Sequence, residues 1–451
     1  MRLGMPALTD TSEPLSRIVA RRHSGFGTAA SQREAPHVPA VGAQDADVKE
    51  PSIGFVGTYP PTKCGIASFT ASLARAMAPS GSGVRTGIVA CVDGLSVVRH
   101  PPEVAVELVS GSAVSRAAAA AALNEFDIVV VQHEFGIFGG EDGSEIVELV
   151  AELRTPVIVV LHTVPRRPTA GQRAVVERLA ESAERIVTQS DAARVRLLET
   201  HLIEPRKVVV IPHGAPANLV KETATVDPAR RPVVLTWGLV GPSKGIEWAI
   251  EAMALLRDLK PQPRYVVAGQ THPRILETHG EEYRDFLVAR AAALGVGHMV
   301  EFDDGYRGLG AILARIREAD VVLLPYLSRE QVVSGVLAEA IASGKPVVST
   351  RFPHAEELLG EGSGSLVAHE DAGAIADALR SLLTDPARAA GMAAVARRQA
   401  PSLFWENVGA SYRQLAYELV RHAEKTSGLQ EATSARGQRM PSTFAALHSR
   451  P

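Results

Sequence analysis

Between Asp320 and Gly344 the sequence reads as an apolar strand, a polar loop and a short helix. That succession brings several useful groups to one turn. Ser334 is placed to cap the helix, and Gly344 to end it. The N–H groups of Gly335 and Val336 then lie unpaired at a helix N-terminus, where the helix dipole favours an anion such as phosphate. Gly335 has no side chain to obstruct it. Glu339 lies about one turn further on, beside the apolar stripe of Val336, Leu337, Ala340 and Ile341. A carboxylate there can accept two hydrogen bonds from a vicinal diol, as on a ribose. The same residues also fit an ordinary strand-to-helix turn with a solvated glutamate.

Other groups of this kind stand at the ends of apolar runs. His133 and Glu134 follow one, and His162 follows another. A histidine at a strand end can hydrogen-bond sugar hydroxyls or help position a leaving group, and a lone one can equally serve the core. Lys244, in Trp237-Gly-Leu-Val-Gly-Pro-Ser-Lys-Gly245, opens a predicted helix over 246–257. A cation there opposes the helix dipole and needs an anion or another reason to stay. Gly269-Gln-Thr-His-Pro273 offers His272, either to a ligand or to the turn itself. Thr58-Tyr-Pro-Pro-Thr-Lys-Cys-Gly-Ile66 places Gly65 between a strand and a helix, without the GxGxxG spacing of a dinucleotide-binding turn. Cys64 has no identifiable base beside it and reads as a bystander. His and Asp are scattered along the alternating strands and helices, so no metal is expected.

Bulk properties exclude some classes. The net charge of −3 lacks the basic excess of a nucleic-acid-binding chain. The two cysteines, Cys64 and Cys91, make no disulfide framework. Apolar runs are strand-length, well short of the ~20 residues a membrane helix needs. The first 50 residues lack a basic-then-apolar leader pattern. A cytoplasmic location is expected, with no transmembrane segment; peripheral contact with a membrane stays open.

A chain of 451 residues exceeds what one core usually supports. Composition predicts a disordered extension over 1–50 and a disordered tail over 426–451. Between them, strand-like and helical periods alternate, which predicts two doubly wound α/β domains with parallel sheets. Their expected bounds are 51–215 and 232–402, with a Pro-containing linker at 216–231 and a closing helix over 403–425. In such sheets ligands bind beyond the carboxyl ends of the strands. The two domains would face a common cleft.

Gln331–Glu339 followed by Ala340-Ile-Ala-Ser-Gly-Lys-Pro-Val-Val348 resembles the donor-site motif of glycosyltransferase family 4. The resemblance extends from about Pro51 to Ala400. It implies a GT-B fold and transfer of a hexosyl group from a nucleoside diphosphate sugar with retention at the anomeric carbon. No cofactor is implied beyond that donor, and the acceptor would be a sugar or glycolipid. The family has two glutamates eight apart. Glu339 matches the second, used on the donor ribose, and Gln331 replaces the first; Glu330 is one residue early. His162 matches a position that contacts the donor sugar. Gly65 matches the family's N-terminal glycine loop, near the donor phosphates and acceptor. Lys244 matches a phosphate-binding lysine beside Gly238, whereas Leu239 replaces an expected arginine. Arg274, Arg329 or Arg351 could supply that charge. His272 lies where the family has a nucleotide-contacting loop, and Gln331, Ser334, Gly335 and Val336 complete the donor set. His133 and Glu134 are left for the acceptor or sugar. The Gln331 and Leu239 replacements also fit a non-catalytic nucleotide-sugar-binding or sensor protein. Another GT-B enzyme, such as an epimerase or phosphorylase, is a third reading.

Overall fold

The computed structural model describes residues 50–94, 100–219, 229–305 and 308–437, with side chains to 426. The first part holds strands β1 (Ile53–Gly57), β2 (Thr86–Val92), β3 (Val104–Val109), β4 (Ile128–His133), β5 (Val157–Leu161), β6 (Arg185–Thr188) and β7 (Val208–Val210). They alternate with helices α1 (Gly65–Met77), α2 (Ala113–Leu123), α3 (Glu145–Ala151), α4 (Ala170–Ser182) and α5 (Asp191–Thr200). The second part holds β8 (Val233–Trp237), β9 (Arg264–Ala268), β10 (Val300–Asp303), β11 (Val321–Leu324), β12 (Val347–Thr350) and β13 (Gly364–Val367). Its helices are α6 (Ile246–Ala254), α7 (Pro273–His279), α8 (Glu282–Ala293), α9 (Leu309–Glu318), α10 (Gly335–Ala342), α11 (Pro353–Leu359), α12 (Ala372–Thr384) and α13 (Pro386–Leu403). Helix α14 (Trp405–Gly437) closes the described chain.

Each part is built on one parallel sheet. The first has seven strands in the order β3-β2-β1-β4-β5-β6-β7; the second has six, in the order β10-β9-β8-β11-β12-β13. Fully buried strands such as Ile53–Gly57 and Val157–Leu161 account for the nearly unbroken apolar runs, because helices cover both faces. Strand order reverses between β1 and β4 in one sheet and between β8 and β11 in the other. Crevices beyond the carboxyl ends of those strands are the expected ligand positions. This is the two-domain α/β architecture of the GT-B fold.

Three expectations change. The edge strand β3 was missed by periodicity: its residues are mostly half-exposed and Glu107 interrupts the apolar run. The closing helix begins at Trp405, not 403, since Leu403 ends α13. It runs to Gly437, through part of the segment expected to be disordered. Leu429, Gln430, Glu431, Ala432 and Ala435 are good helix formers and outweigh the single Gly428. The apolar stripe of α14 does not extend the second core. Val408, Tyr412, Ala416 and Leu419 pack with Phe69, Leu73 and Met77 of α1 on the first sheet. The expected N-terminal disorder lies, apart from Glu50, outside the described residues, as do 438–451.

The segment after β7 is anchored where it starts. Ala215 N–H donates to Leu403 O at 2.6 Å, and Trp405 N–H donates to Ala215 O at 3.0 Å. Buried Asn218 donates to Leu313 O and Ser343 Oγ, both at 3.1 Å. Residues 220–228 lie outside the described residues. No helix among the described residues is long and apolar enough to cross a membrane.

Candidate functional site

Helix α10 starts as its residue types require. Ser334 has extended backbone and its Oγ accepts from Leu337 N–H at 3.3 Å, a regular N-cap. Ala338 N–H donates to Ser334 O, so the N–H groups of Gly335 and Val336 precede the first intrahelical bond. The Ser334 N–H is taken by buried His354 Nδ1 at 2.9 Å. A Cβ on Gly335 would sit 2.9 Å from Cε1 and Nε2 of His213. That histidine follows β7, so the first domain supplies one wall of the helix N-terminus. Gly335 thus permits close approach of an imidazole.

Glu339 is half-buried, and Trp237 Nε1–H donates to its Oε2 at 2.9 Å. Burial pushes the carboxyl up from its ordinary pKa, and the indole bond opposes that rise. One carboxylate oxygen is therefore fixed by the end of β8, and the other keeps its lone pairs. Next to Trp237, Gly238 faces α10: a Cβ there would meet Val336 Cγ2 at 3.7 Å. Gly269 has φ +147° and lies so close to Gly238 O that a side chain could not fit. The carboxyl ends of β8 and β9 therefore form a side-chain-poor floor against the start of α10.

Lys244 does not sit on a bare helix end. It closes a 3-10 turn, Pro242–Lys244, and Gly245 at φ +60° separates it from α6. Its Nζ lies 4.0 Å from the centroid of the Tyr326 ring. Leu327 N–H donates to Ser243 O at 2.9 Å, holding the β8–α6 turn against the end of β11. The cation–π contact is the further reason that this lysine required. Leu239, next to Gly238, is half-buried and brings no charge. His272 caps α7: its Nδ1 accepts from Arg274 N–H at 3.2 Å and its side chain is exposed.

Gln331 is turned into its own loop, with Nε2 donating to Val333 O at 2.8 Å. Of the arginines considered for the missing charge, Arg329 pairs with Glu370 at 3.3 Å and Arg351 with Glu356 at 3.7 Å.

On the first sheet, His162 is held at both nitrogens. Its Nε2–H donates to Gln132 Oε1 at 2.8 Å, and Gln189 Nε2 donates to its Nδ1 at 3.2 Å. Burial, with His213 and His133 nearby, lowers its pKa to about 3, so the ring is neutral. Phe69 of α1 touches His162, His213 and Trp405 edge-on, with centroids 4.8, 5.0 and 5.1 Å away. The sequence shows Phe69 only as part of an apolar helix stripe.

His133 departs from expectation. It is fully buried between Phe135 and Phe138, and neither ring nitrogen has a partner among the described residues. The apolar ring environment explains this placement and lowers its pKa to about 4. Glu134 remains half-exposed, accepting from Thr163 Oγ1–H and from Phe135 N–H at 3.0 Å. Burial raises its pKa against both bonds. Gly65 begins α1 with open space around it. Cys64 caps that helix: its Sγ accepts from Ala67 N–H at 3.3 Å. Among the described residues no group of three or more His, Cys, Asp or Glu could hold a metal ion.

The fold agrees with comparisons to known proteins. Residues 65–219 match the family model Glycosyltransferase Family 4, and residues 221–399 match Glycosyl transferases group 1. The chain is 30% identical over 259 residues to a D-inositol 3-phosphate glycosyltransferase of Kineococcus radiotolerans, covering 52% of this chain and 57% of that one. It is 33% identical over 214 residues to a GDP-mannose-dependent alpha-(1-6)-phosphatidylinositol monomannoside mannosyltransferase of Mycolicibacterium smegmatis, covering 46% and 50%. The match therefore spans about half the length of these relatives. In structure the chain resembles Anabaena HepE in complex with UDP, with TM-score 0.66, 17% identity, and 82% and 100% of the two chains covered. It also resembles sucrose-phosphate synthase from Thermosynechococcus elongatus, with TM-score 0.62, 20% identity, and 82% and 100% covered. Together the matches in both halves and the shared GT-B fold support a glycosyltransferase of the family 4 type.

Proposed function

We propose that this chain transfers a hexosyl group from a nucleoside diphosphate sugar to a sugar or glycolipid acceptor, with retention of anomeric configuration. The observation that carries this reading is the Glu339 carboxylate, fixed by Trp237 one turn inside a helix whose start lies against Gly238. Such a pairing suits a ribose diol and a diphosphate held side by side. The GDP-mannose used by one relative and the UDP and UDP-glucose bound by a structural neighbour fit such a donor.

In this reading Gly335, Val336 and Lys244 stabilise the departing diphosphate by preorganised positive charge. Ser334 sets the helix start and Glu339 holds the ribose. Gly238 lets the donor approach the backbone, Gly65 borders the phosphates from the first domain, and His272 lies at the nucleotide's edge. His162, neutral and locked by two amides, orients the transferred sugar. Glu134 faces the acceptor. The anomeric carbon loses its bond to the phosphate oxygen and gains one to the acceptor oxygen on the same face. The acceptor proton goes to the departing phosphate, so neither a protein nucleophile nor a cofactor is needed. Gln331 in place of a glutamate defines a subgroup of the family pattern.

The test is a screen of UDP-, GDP- and ADP-sugars by thermal shift, then release of nucleoside diphosphate with sugar acceptors, and assignment of the product anomer by NMR. An inverted product would sink the retaining mechanism. A second reading, a non-catalytic nucleotide-sugar-binding protein, is favoured by the Gln331 amide being occupied by Val333 O. It predicts donor-induced stabilisation without turnover on any acceptor.

A further inference from the structure

Gln331 lies in a coil segment of the second domain whose neighbouring carbonyls, Glu330 O and Val332 O, are held by the first, while Gln331 O itself accepts from His354 N–H of the second at 3.4 Å. Arg196 of α5 donates from Nη1 to Glu330 O at 2.6 Å. Ser190, the N-cap of α5, donates from Oγ to Val332 O at 2.7 Å in a buried bond. The same Oγ accepts from Ala193 N–H at 3.0 Å, so its donor and an acceptor site are both used. Val332 is 4% exposed and packs in one apolar cluster with Ile186, Ala193 and Leu197. Two further bonds join the second domain to the same helix: Glu357 of α11 accepts from Asp191 N–H at 3.0 Å and Ala192 N–H at 2.9 Å. A carboxylate from one domain thus caps a helix of the other, where the helix dipole favours it.

The segment has no ladder of its own to satisfy these carbonyls. Val332 is buried, and a buried backbone carbonyl without a partner is costly, so the order of this end of the segment depends on α5 being in place. The nucleotide half of the site does not: Glu339, Trp237, Lys244 and the start of α10 are held by the second domain's own strands.

We propose that α5 sets the conformation of residue 331, and that Ser190, Arg196 and Glu357 are positioning residues which align the transferred sugar when the domains are closed. The inference rests on the donor-site reading above. It separates two events: nucleotide binding, which needs the second domain, and sugar alignment, which needs the grip of α5 on the segment 330–333.

The experiment uses the full chain with Ser190→Ala and Glu357→Gln, and Ser190→Thr as the hydroxyl-keeping control. Calorimetry with UDP, GDP and ADP measures nucleotide affinity, steady-state kinetics measures transfer, and amide hydrogen exchange follows 327–333. Expected for Ser190→Ala and Glu357→Gln is nucleotide affinity within about twofold of the parent, a kcat lower by about tenfold and faster exchange over 327–333, as loss of the buried Ser190 bond in the one and of the charged cap of α5 in the other implies. Ser190→Thr should recover most of the kcat. Unchanged kcat and exchange in both variants overturns the proposal, as does a loss of nucleotide affinity as large as the loss of kcat. If the parent protein binds none of the three nucleotides, the donor-site reading fails by itself. The exchange difference between parent and Ser190→Ala then still decides whether α5 holds the segment.

Discussion

The indole Nε1–H of Trp237 donates to Glu339 Oε2 at 2.9 Å, joining the end of β8 to the second turn of α10. The bond fixes the carboxylate's rotamer before any ligand arrives, which lowers the entropy cost of holding a diol. It joins residues 102 apart in sequence.

Replacing Glu339 with Ala should weaken donor affinity by about 10–100-fold, the loss expected for charge-assisted hydrogen bonds. Stability should change little, because the site keeps its apolar walls. Titration calorimetry with the donor identified by screening checks this; unchanged affinity would remove Glu339 from the ribose. Burial raises this carboxyl's pKa, so donor affinity should fall on acidification at a higher pH than for an ordinary glutamate. Glu339→Gln should lack that limb.

Acid sensitivity of the fold follows from four buried histidines. His133, His162, His213 and His354 are lowered to about 4, 3, 4 and 3, with burial the largest cause in each. The unfolded chain binds these protons near the usual value of about 6.5, and the native chain does not. Stability is therefore full above about pH 6.5 and falls as pH drops toward about 4 for His133 and His213 and about 3 for His162 and His354, by up to about 1.4 kcal/mol per pH unit for each group. His133→Phe keeps a ring between Phe135 and Phe138 and removes two unpartnered nitrogens. Urea unfolding at several pH values should show a slope shallower by about one proton; an identical slope would mean that His133 is not kept neutral by its surroundings.

At the domain junction, Gly335→Ala places a methyl 2.9 Å from the His213 ring. The expected cost is about 1–3 kcal/mol, as for overpacking a close contact. His213→Ala should relieve part of it, and a double-mutant cycle measures the coupling. Additive effects would show that the two residues do not press on each other in solution.

Lys244→Met keeps length and ring contact with Tyr326 but removes the charge. Nucleotide affinity should fall by about tenfold or more, with a smaller salt dependence than the parent shows. Equal affinities and equal salt slopes would leave Lys244 as a packing residue.

Much of this was legible in the sequence. The Ser334 cap, the start of α10 at Gly335 and the side chain of Glu339 on that helix follow from local rules that act within a few residues. Unbroken apolar runs announced two parallel sheets. What was hidden depends on distance along the chain. Nothing in the type of His213, Phe69, Ser190 or Glu357 signals that they converge on the donor segment, because each partner lies in another element. The surroundings of Lys244 were hidden for a related reason: its contact with the face of Tyr326 is one that spacing cannot reveal. His133 and His162 look alike in sequence, each ending an apolar run. The first faces phenylalanines and the second faces amides, a difference set by packing alone.

The paired bonds of Ala215 with Leu403 and Trp405 have a mechanical consequence. The polypeptide crosses between the two sheets on its way out and again on its way back, and the crossings are stitched side by side at this point. A lone peptide swivels about its own axis, whereas a laced doublet resists torsion and leaves flexure as the soft coordinate. Such a doublet is a spine that favours opening over shear, which would keep the ring of His213 in register with Gly335.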